Sequence, residues 1–328
     1  MPRRWIPLIA SLIFAAACTR AAGVTPKEAA AQSPPDRAAA GCPTGDQLPP
    51  PASLVRFRDD GCVPPTDLVG FRCAPDSPPV IERTVDGITD RFVGGRFAVP
   101  VDALPAEAVP IGEGADMQVY AVPGDPFLLY VGEGESVARW LRLPRRAVGN
   151  PPTAYVIGDS IADGAEPFIV DALPGWNVGF DAVIGRGTDS AIATATAQGI
   201  ARPDVVVLEL GTNDADPAAF RENVVTILGL LRRVPLVVLQ TAHGPLTNIP
   251  GVDTHIRGTA PRYGNTLIAD WDAFVDDAEL SSDGVHPASG HEDLMARLIA
   301  PMLLRWLDAA TGGQATACAA RAELAAGA

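Results

Sequence analysis

Four short stretches bring together the residue types that acyl transfer requires: Gly158-Asp159-Ser160, Gly185-Arg186-Gly187, Gly211-Thr212-Asn213-Asp214 and Asp283-Gly284-Val285-His286-Pro287. A serine hydroxyl is a weak nucleophile until a base takes its proton, and a histidine steadied by a nearby carboxylate is such a base. The negative charge that then develops on the substrate oxygen needs N–H donors, which glycine backbones and an asparagine amide supply. Each stretch alone is common. Together, in this order, they describe the chemistry of an acyl-transferring serine enzyme.

Such groups act only if regular elements carry them to one place. From Thr153 onward the chain alternates strand and helix patterns. Ala154 to Ile157 is a short apolar run ending at Gly158, and a helical stretch follows to Leu173. A second strand is predicted over Trp176 to Ile184, with a helix over Asp189 to Ile200. Asp204 to Leu210 is apolar and rich in β-branched residues, as a strand buried on both faces should be. Pro217 to Arg233 reads as a helix with proline in its first turn. Strands at Pro235 to Gln240 and Thr266 to Ala269 follow, then a last helix from about Ser289 to Leu307. This alternation predicts a parallel sheet covered on both faces. Functional groups in such sheets gather at the carboxyl ends of strands, where three of the four stretches fall.

On these motifs the chain from about Thr153 to Leu307 resembles the SGNH hydrolase superfamily, also called GDSL esterases, named for a Ser, a Gly, an Asn and a His. The resemblance implies a flavodoxin-like three-layer α/β/α sandwich with a parallel five-stranded sheet. It also implies ester deacylation through a Ser–His–Asp triad with no metal and no organic cofactor. Carried onto this chain, Ser160 is the expected nucleophile, His286 the base and Asp283 its partner. Asn213 and the Ser160 backbone N–H are expected oxyanion donors. Gly185 is the expected third, with Gly187 two residues on as the competing position.

Other readings fare worse. Gly185-x-Gly187-x-x-Ser190 lacks the third glycine of a dinucleotide fingerprint. Gly158-x-Ser160-x-Ala162 departs from the Gly-x-Ser-x-Gly elbow of α/β-hydrolases. His291-Glu292 is not a zinc motif, because Met295 stands where the second histidine is required. His291 is expected within the last helix. His243 and His255 fall in the connections after the fourth strand and are read as surface or substrate-contact residues.

The whole chain narrows the field further. It has 328 residues, 47% hydrophobic and 20% charged, which suits a globular protein. A formal net charge of −14 disfavours a nucleic-acid partner, since phosphate binding needs a basic face. Lys27 is the only lysine, so the folded part holds no Schiff-base lysine, Ser–Lys dyad or Gly-Lys phosphate loop.

Residues 1–17 read as an export signal, with Arg3 and Arg4 before a short apolar stretch ending in Ala15-Ala16-Ala17. Cleavage there leaves Cys18 as a lipid-anchor candidate, which would attach the protein to a membrane; ordinary secretion is the alternative. Residues 18–41 have the composition of a flexible tether. Cys42, Cys62, Cys73 and Cys318 form an even set in an exported chain, consistent with disulfides in any of three pairings. Residues 42–149 hold short apolar runs, Val119 to Val122 and Phe127 to Val131 among them. Turn signals at Gly94-Gly95, Gly112-Glu113-Gly114, Pro123-Gly124-Asp125 and Gly132-Glu133-Gly134 separate these runs. This predicts a small β-rich accessory region, joined through Pro144 to Pro152 to a hydrolase domain at 150–310. Residues 311–328 are an Ala/Gly-rich tail. The expected function is an extracytoplasmic esterase acting on short-chain acyl esters, with cell-envelope glycans the leading substrates. An O-acyltransferase using the same triad and an envelope-attached glycan-binding module are the alternatives.

Overall fold

The computed structural model describes residues 80–85, 88–114, 117–144, 148–149 and 151–311. The export signal, the tether, Cys18, Cys42, Cys62, Cys73, Cys318 and all but the first residue of the tail lie outside the described residues.

Five parallel strands form the central sheet: β9 (Thr153–Gly158), β10 (Asn177–Ala182), β11 (Val205–Glu209), β12 (Leu236–Gln240) and β13 (Thr266–Ala269). Their order is β10-β9-β11-β12-β13, so the second strand of the series lies outside the first and the chain then winds the other way. This is the flavodoxin-like order, and its crevice opens where the winding reverses, between β9 and β11.

Strand alternation distributes the core to two faces. Val205 and Val207 pack with helices α1 (Ser160–Ala172) and α6 (Leu294–Thr311). Val206 and Leu208 pack with α2 (Thr188–Ala201), α3 (Pro217–Leu231) and α4 (Ile249–Thr259). The result is three layers, as expected. A short helix α5 (Trp271–Phe274) follows β13.

The β-rich region expected before this sheet is present. A three-stranded sheet joins β1 (Val80–Val85), β2 (Ile88–Val93) and β8 (Leu141–Leu143). A five-stranded antiparallel sheet has the order β3-β7-β6-β5-β4, from β3 (Val99–Val101), β4 (Val109–Gly114), β5 (Met117–Val122), β6 (Asp125–Glu133) and β7 (Ser136–Arg139). Ile81, Phe92, Val119, Leu129 and Trp140 form its own core. Val93, Phe97, Leu141 and Leu143 instead join the core under α1 and α6, so apolar packing is continuous between the two parts. Polar contacts add to it. Arg142 donates its backbone N–H to Gly264 O at 2.8 Å, Tyr130 donates its hydroxyl to Pro261 O at 3.1 Å, and Arg139 donates to both oxygens of Thr266.

Three local expectations need correction. Gly112-Glu113-Gly114 continues β4 rather than forming a turn; a register shift between Pro110 and Gly112 absorbs the irregularity. The last helix begins at Leu294, five residues later than expected, because Gly290 takes φ +89° and the preceding segment folds into turns. His291 therefore sits in a turn before the helix, not within it. Among the described residues no helix is long and apolar enough to cross a membrane.

Candidate active site

The turn that carries Ser160, the expected nucleophile, is built by close approach. Gly158 ends β9, and a Cβ there would lie 2.3 Å from Ala162 Cβ and 2.9 Å from Glu209 Oε2. Only glycine lets α1 begin this near the strand end. Asp159, not Ser160, caps the helix: its Oδ1 accepts from Ile161 N at 3.1 Å. Ala162 N donates to Glu209 Oε2 at 3.3 Å and Asp163 N to Asp159 O at 3.0 Å. The Ser160 N–H is thus left without an acceptor among the described residues, and its Oγ is not consumed by capping.

That hydroxyl lies 2.8 Å from His286 Nε2. On the other side of the ring, His286 Nδ1 is 2.8 Å from Asp283 Oδ2. Asp283 Oδ1 accepts from Ser281 Oγ at 2.7 Å, Val285 N at 2.8 Å and His286 N at 3.0 Å. Hydrogen bonds from His286, Ser281 and the two backbone amides hold the Asp283 carboxyl well below the usual carboxylate range. The loop itself is closed by a bridge between Leu280 and Pro287 and by Ser281 N donating to His286 O at 2.8 Å. Beneath it, a Cβ on Gly244 would meet Val285 Cγ2 at 2.8 Å and Gly284 O at 2.9 Å, so the connection after β12 packs directly against the loop.

Asn213 follows β11 and donates one Nδ2 hydrogen to Asp159 Oδ2 at 2.8 Å. An amide nitrogen carries two hydrogens, so one remains for a ligand. The turn that carries Asn213 is pinned by Asn248, whose Nδ2 lies within hydrogen-bond reach of Gly211 O, Thr212 O and Asp214 O at 3.1, 3.3 and 2.8 Å. Asp214 in turn accepts from Thr188 Oγ1 and Thr188 N at the start of α2.

Gly185 and Gly187 lie between β10 and α2; Gly185 has φ +77°, and neither donates its N–H to an acceptor among the described residues. Arg186 between them is buried. Its Nη2 binds Asp181 Oδ1 at 2.7 Å and its Nη1 reaches Gly158 O at 3.5 Å, fastening this connection to the ends of β9 and β10. The neighbouring Ile184 is 75% exposed.

The structure therefore brings Ser160, His286, Asp283 and Asn213 to the crevice where the winding reverses. Of the other histidines, His243 is held between Asp272 Oδ1 at 2.8 Å and Asp277 Oδ1 at 3.0 Å. His291 lies 3.6 Å from Glu279 Oε1, and His255 is half-buried on α4. Among the described residues no group of three or more His, Cys, Asp or Glu is arranged to hold a metal ion. Sequence reasoning missed Glu209, Asn248 and Arg186. Arg186 lies inside a recognised motif and was open to notice; nothing local marks the other two.

Neither a protein-family model nor a curated protein sequence matches this chain. Among solved structures it is similar to the C-terminal catalytic domain of peptidoglycan O-acetyltransferase A from Streptococcus pneumoniae. That alignment has 23% identity and a TM-score of 0.42, and covers 50% of this chain and 97% of that one. A carbohydrate esterase family 3 protein from Talaromyces cellulolyticus is 19% identical over 48% of this chain and 98% of its own, with a TM-score of 0.42. A GDSL-like lipase from Bacteroides thetaiotaomicron is 17% identical over 47% and 89%, with a TM-score of 0.40. These similar structures are thus an O-acetyltransferase domain, a carbohydrate esterase and a GDSL-like lipase, each aligned with about half of this chain.

Proposed function

We propose that this protein is an SGNH-type serine esterase that cleaves carboxylic esters through an acyl-enzyme. The observation that carries the reading is the continuous chain Ser160 Oγ, His286 Nε2, His286 Nδ1, Asp283 Oδ2, each contact 2.8 Å. As Ser160 Oγ attacks the ester carbonyl carbon, His286 Nε2 takes its proton, and the Asp283 carboxylate stabilises the imidazolium. The carbonyl oxygen becomes an oxyanion facing the unpartnered Ser160 N–H and the second Asn213 amide hydrogen, with the glycine connection after β10 supplying the third donor. Collapse expels the alcohol, which takes the proton from His286. Water then attacks the acyl carbon while giving a proton to His286; the bond from Ser160 Oγ to the acyl carbon breaks, the carboxylic acid leaves, and His286 returns the proton to Ser160 Oγ. No redox step or external electron source is involved.

The substrate class follows from the export signal read in residues 1–17: a short-chain acyl ester outside the cytoplasm, an O-acetylated envelope glycan foremost. Assay of a p-nitrophenyl acetate series with wild type and Ser160→Ala tests the reaction. The variant should lose roughly 10⁴- to 10⁶-fold in kcat. Absence of turnover in the wild type, together with failure of a serine-directed phosphonate to label Ser160, would remove the reading. Added sugar acceptors identify acyl transfer if acylated sugar replaces free acid as the product.

A further inference from the structure

Beneath the nucleophile turn lie two carboxyl groups that the ester mechanism does not use. Asp159 is 0% exposed and Glu209, the last residue of β11, is 3% exposed. The two adjoin, since Glu209 Oε2 accepts the Asp159 backbone N–H at 2.9 Å. Among the described residues no cation hydrogen-bonds either one. The charged groups nearby are His286, which reaches this turn through Ser160, and Arg186, which is spent on Asp181 and the Gly158 carbonyl. Gln240, paired with Glu209 across the sheet, is neutral. Two ionised carboxylates cannot persist side by side in such surroundings. Burial and the Asp159 charge push the Glu209 carboxyl well above the usual range.

The contacts divide the work between the two. Glu209 Oε2 accepts from Asp159 N at 2.9 Å and from Ala162 N at 3.3 Å, so it holds the turn on both sides of Ser160. Asp159 accepts from Ile161 N through Oδ1 and from the Asn213 amide through Oδ2. A chain of hydrogen bonds thus runs from Glu209 through Asp159 to Asn213.

We propose that Glu209 is a positioning residue: it carries the single proton of the pair, donates it in a hydrogen bond to Asp159, and so fixes the carboxylate that aims the Asn213 amide and seats Ser160. The catalytic consequence rests on the esterase reading; the location of the proton does not. Glu209→Gln keeps an uncharged donor and an acceptor, and should hold kcat within about threefold of wild type. Glu209→Ala removes both and should lower kcat by roughly tenfold to a hundredfold, since small displacements of catalytic groups cost that much. KM should change little in either variant.

The deciding measurement is the infrared difference spectrum of the full chain, wild type minus Glu209→Gln, at neutral pH. The expected result is a protonated carboxylic C=O band in the wild type that the variant lacks, with kcat ordered wild type and Gln together above Ala. A carboxylate band in place of the acid band overturns the proposal, as does an equal fall in Gln and Ala or an undiminished Ala variant. Should Glu209→Ala not fold, the spectrum and the Gln variant still decide. If no ester is cleaved at all, the spectrum tests the proton independently of the esterase reading.

Discussion

Ser160 is free to react because Asp159 has taken the helix cap. A serine at the start of a helix ordinarily satisfies backbone donors, but here Asp159 and Glu209 do so and the hydroxyl faces His286. Asn213 is aimed by the same Asp159. Its replacement by Ala should cost about 10²- to 10³-fold in kcat, as loss of one oxyanion donor does, with KM nearly unchanged; steady-state kinetics on p-nitrophenyl acetate check this. Ser160, Asp283, His286 and Asn213 were legible because each lies in a short motif whose chemistry is local. Glu209 was not, since it reads as the polar end of an apolar strand and its meaning comes from Asp159, fifty residues away. Asn248 escaped notice for the same reason: the carbonyls it reaches lie 34 to 37 residues earlier.

Strand ends and connections decide where these residues go. The alternation of apolar strands and helices made the parallel sheet legible, because a buried parallel strand has few other sequence solutions. The connection after β12 contains α4, and its first residues brace the loop that carries Asp283 and His286. His243 fastens that brace to the segment after β13 through Asp272 and Asp277. Burial works against the imidazolium, but the hydrogen bonds and charges of the two aspartates outweigh it and raise the His243 pKa. A raised folded-state pKa means stabilisation that is full below the unfolded value of about 6.5 and fades as pH rises through the folded one. The thermal midpoint of His243→Gln should therefore fall furthest below wild type near about pH 5.5 and approach it near about pH 9. Asp253, raised to about 6 by burial, titrates in both proteins and cancels in the difference. A gap that stays constant with pH would mean His243 acts by packing alone.

At the scale of the whole molecule, the β-rich region is fastened to the end of the sheet opposite the site. Gly264, just before β13, is a point of close backbone approach between the two parts: a Cβ there would lie 1.9 Å from the Phe127 carbonyl oxygen. No rotamer relieves a clash with backbone. Gly264→Ala should cost about 2 kcal/mol or more, as overpacking does, and lower Tm by at least about 4 °C. Because the catalytic groups sit at the other ends of the strands, kcat at 25 °C should stay within about twofold of wild type. Calorimetry and ester assay on the same sample check both halves. Arg139, wholly buried at the same junction, has its pKa pushed down to about 9 by burial. The sequence showed short strands here but not which sheet each would join. That choice depends on non-local pairings, such as β8 with β2, that no local pattern encodes.

The hydrogen bond between Ser160 and His286 spans 126 residues. Contacts of such separation form late, because the loop must close before it is rewarded. Val285, in the loop that carries the histidine, belongs to the same buried cluster as residues of α1 and α6, so the loop and these helices share one core. The serine and its base thus belong to one unit only in the assembled core: neither end of this stretch of chain holds the pair by itself.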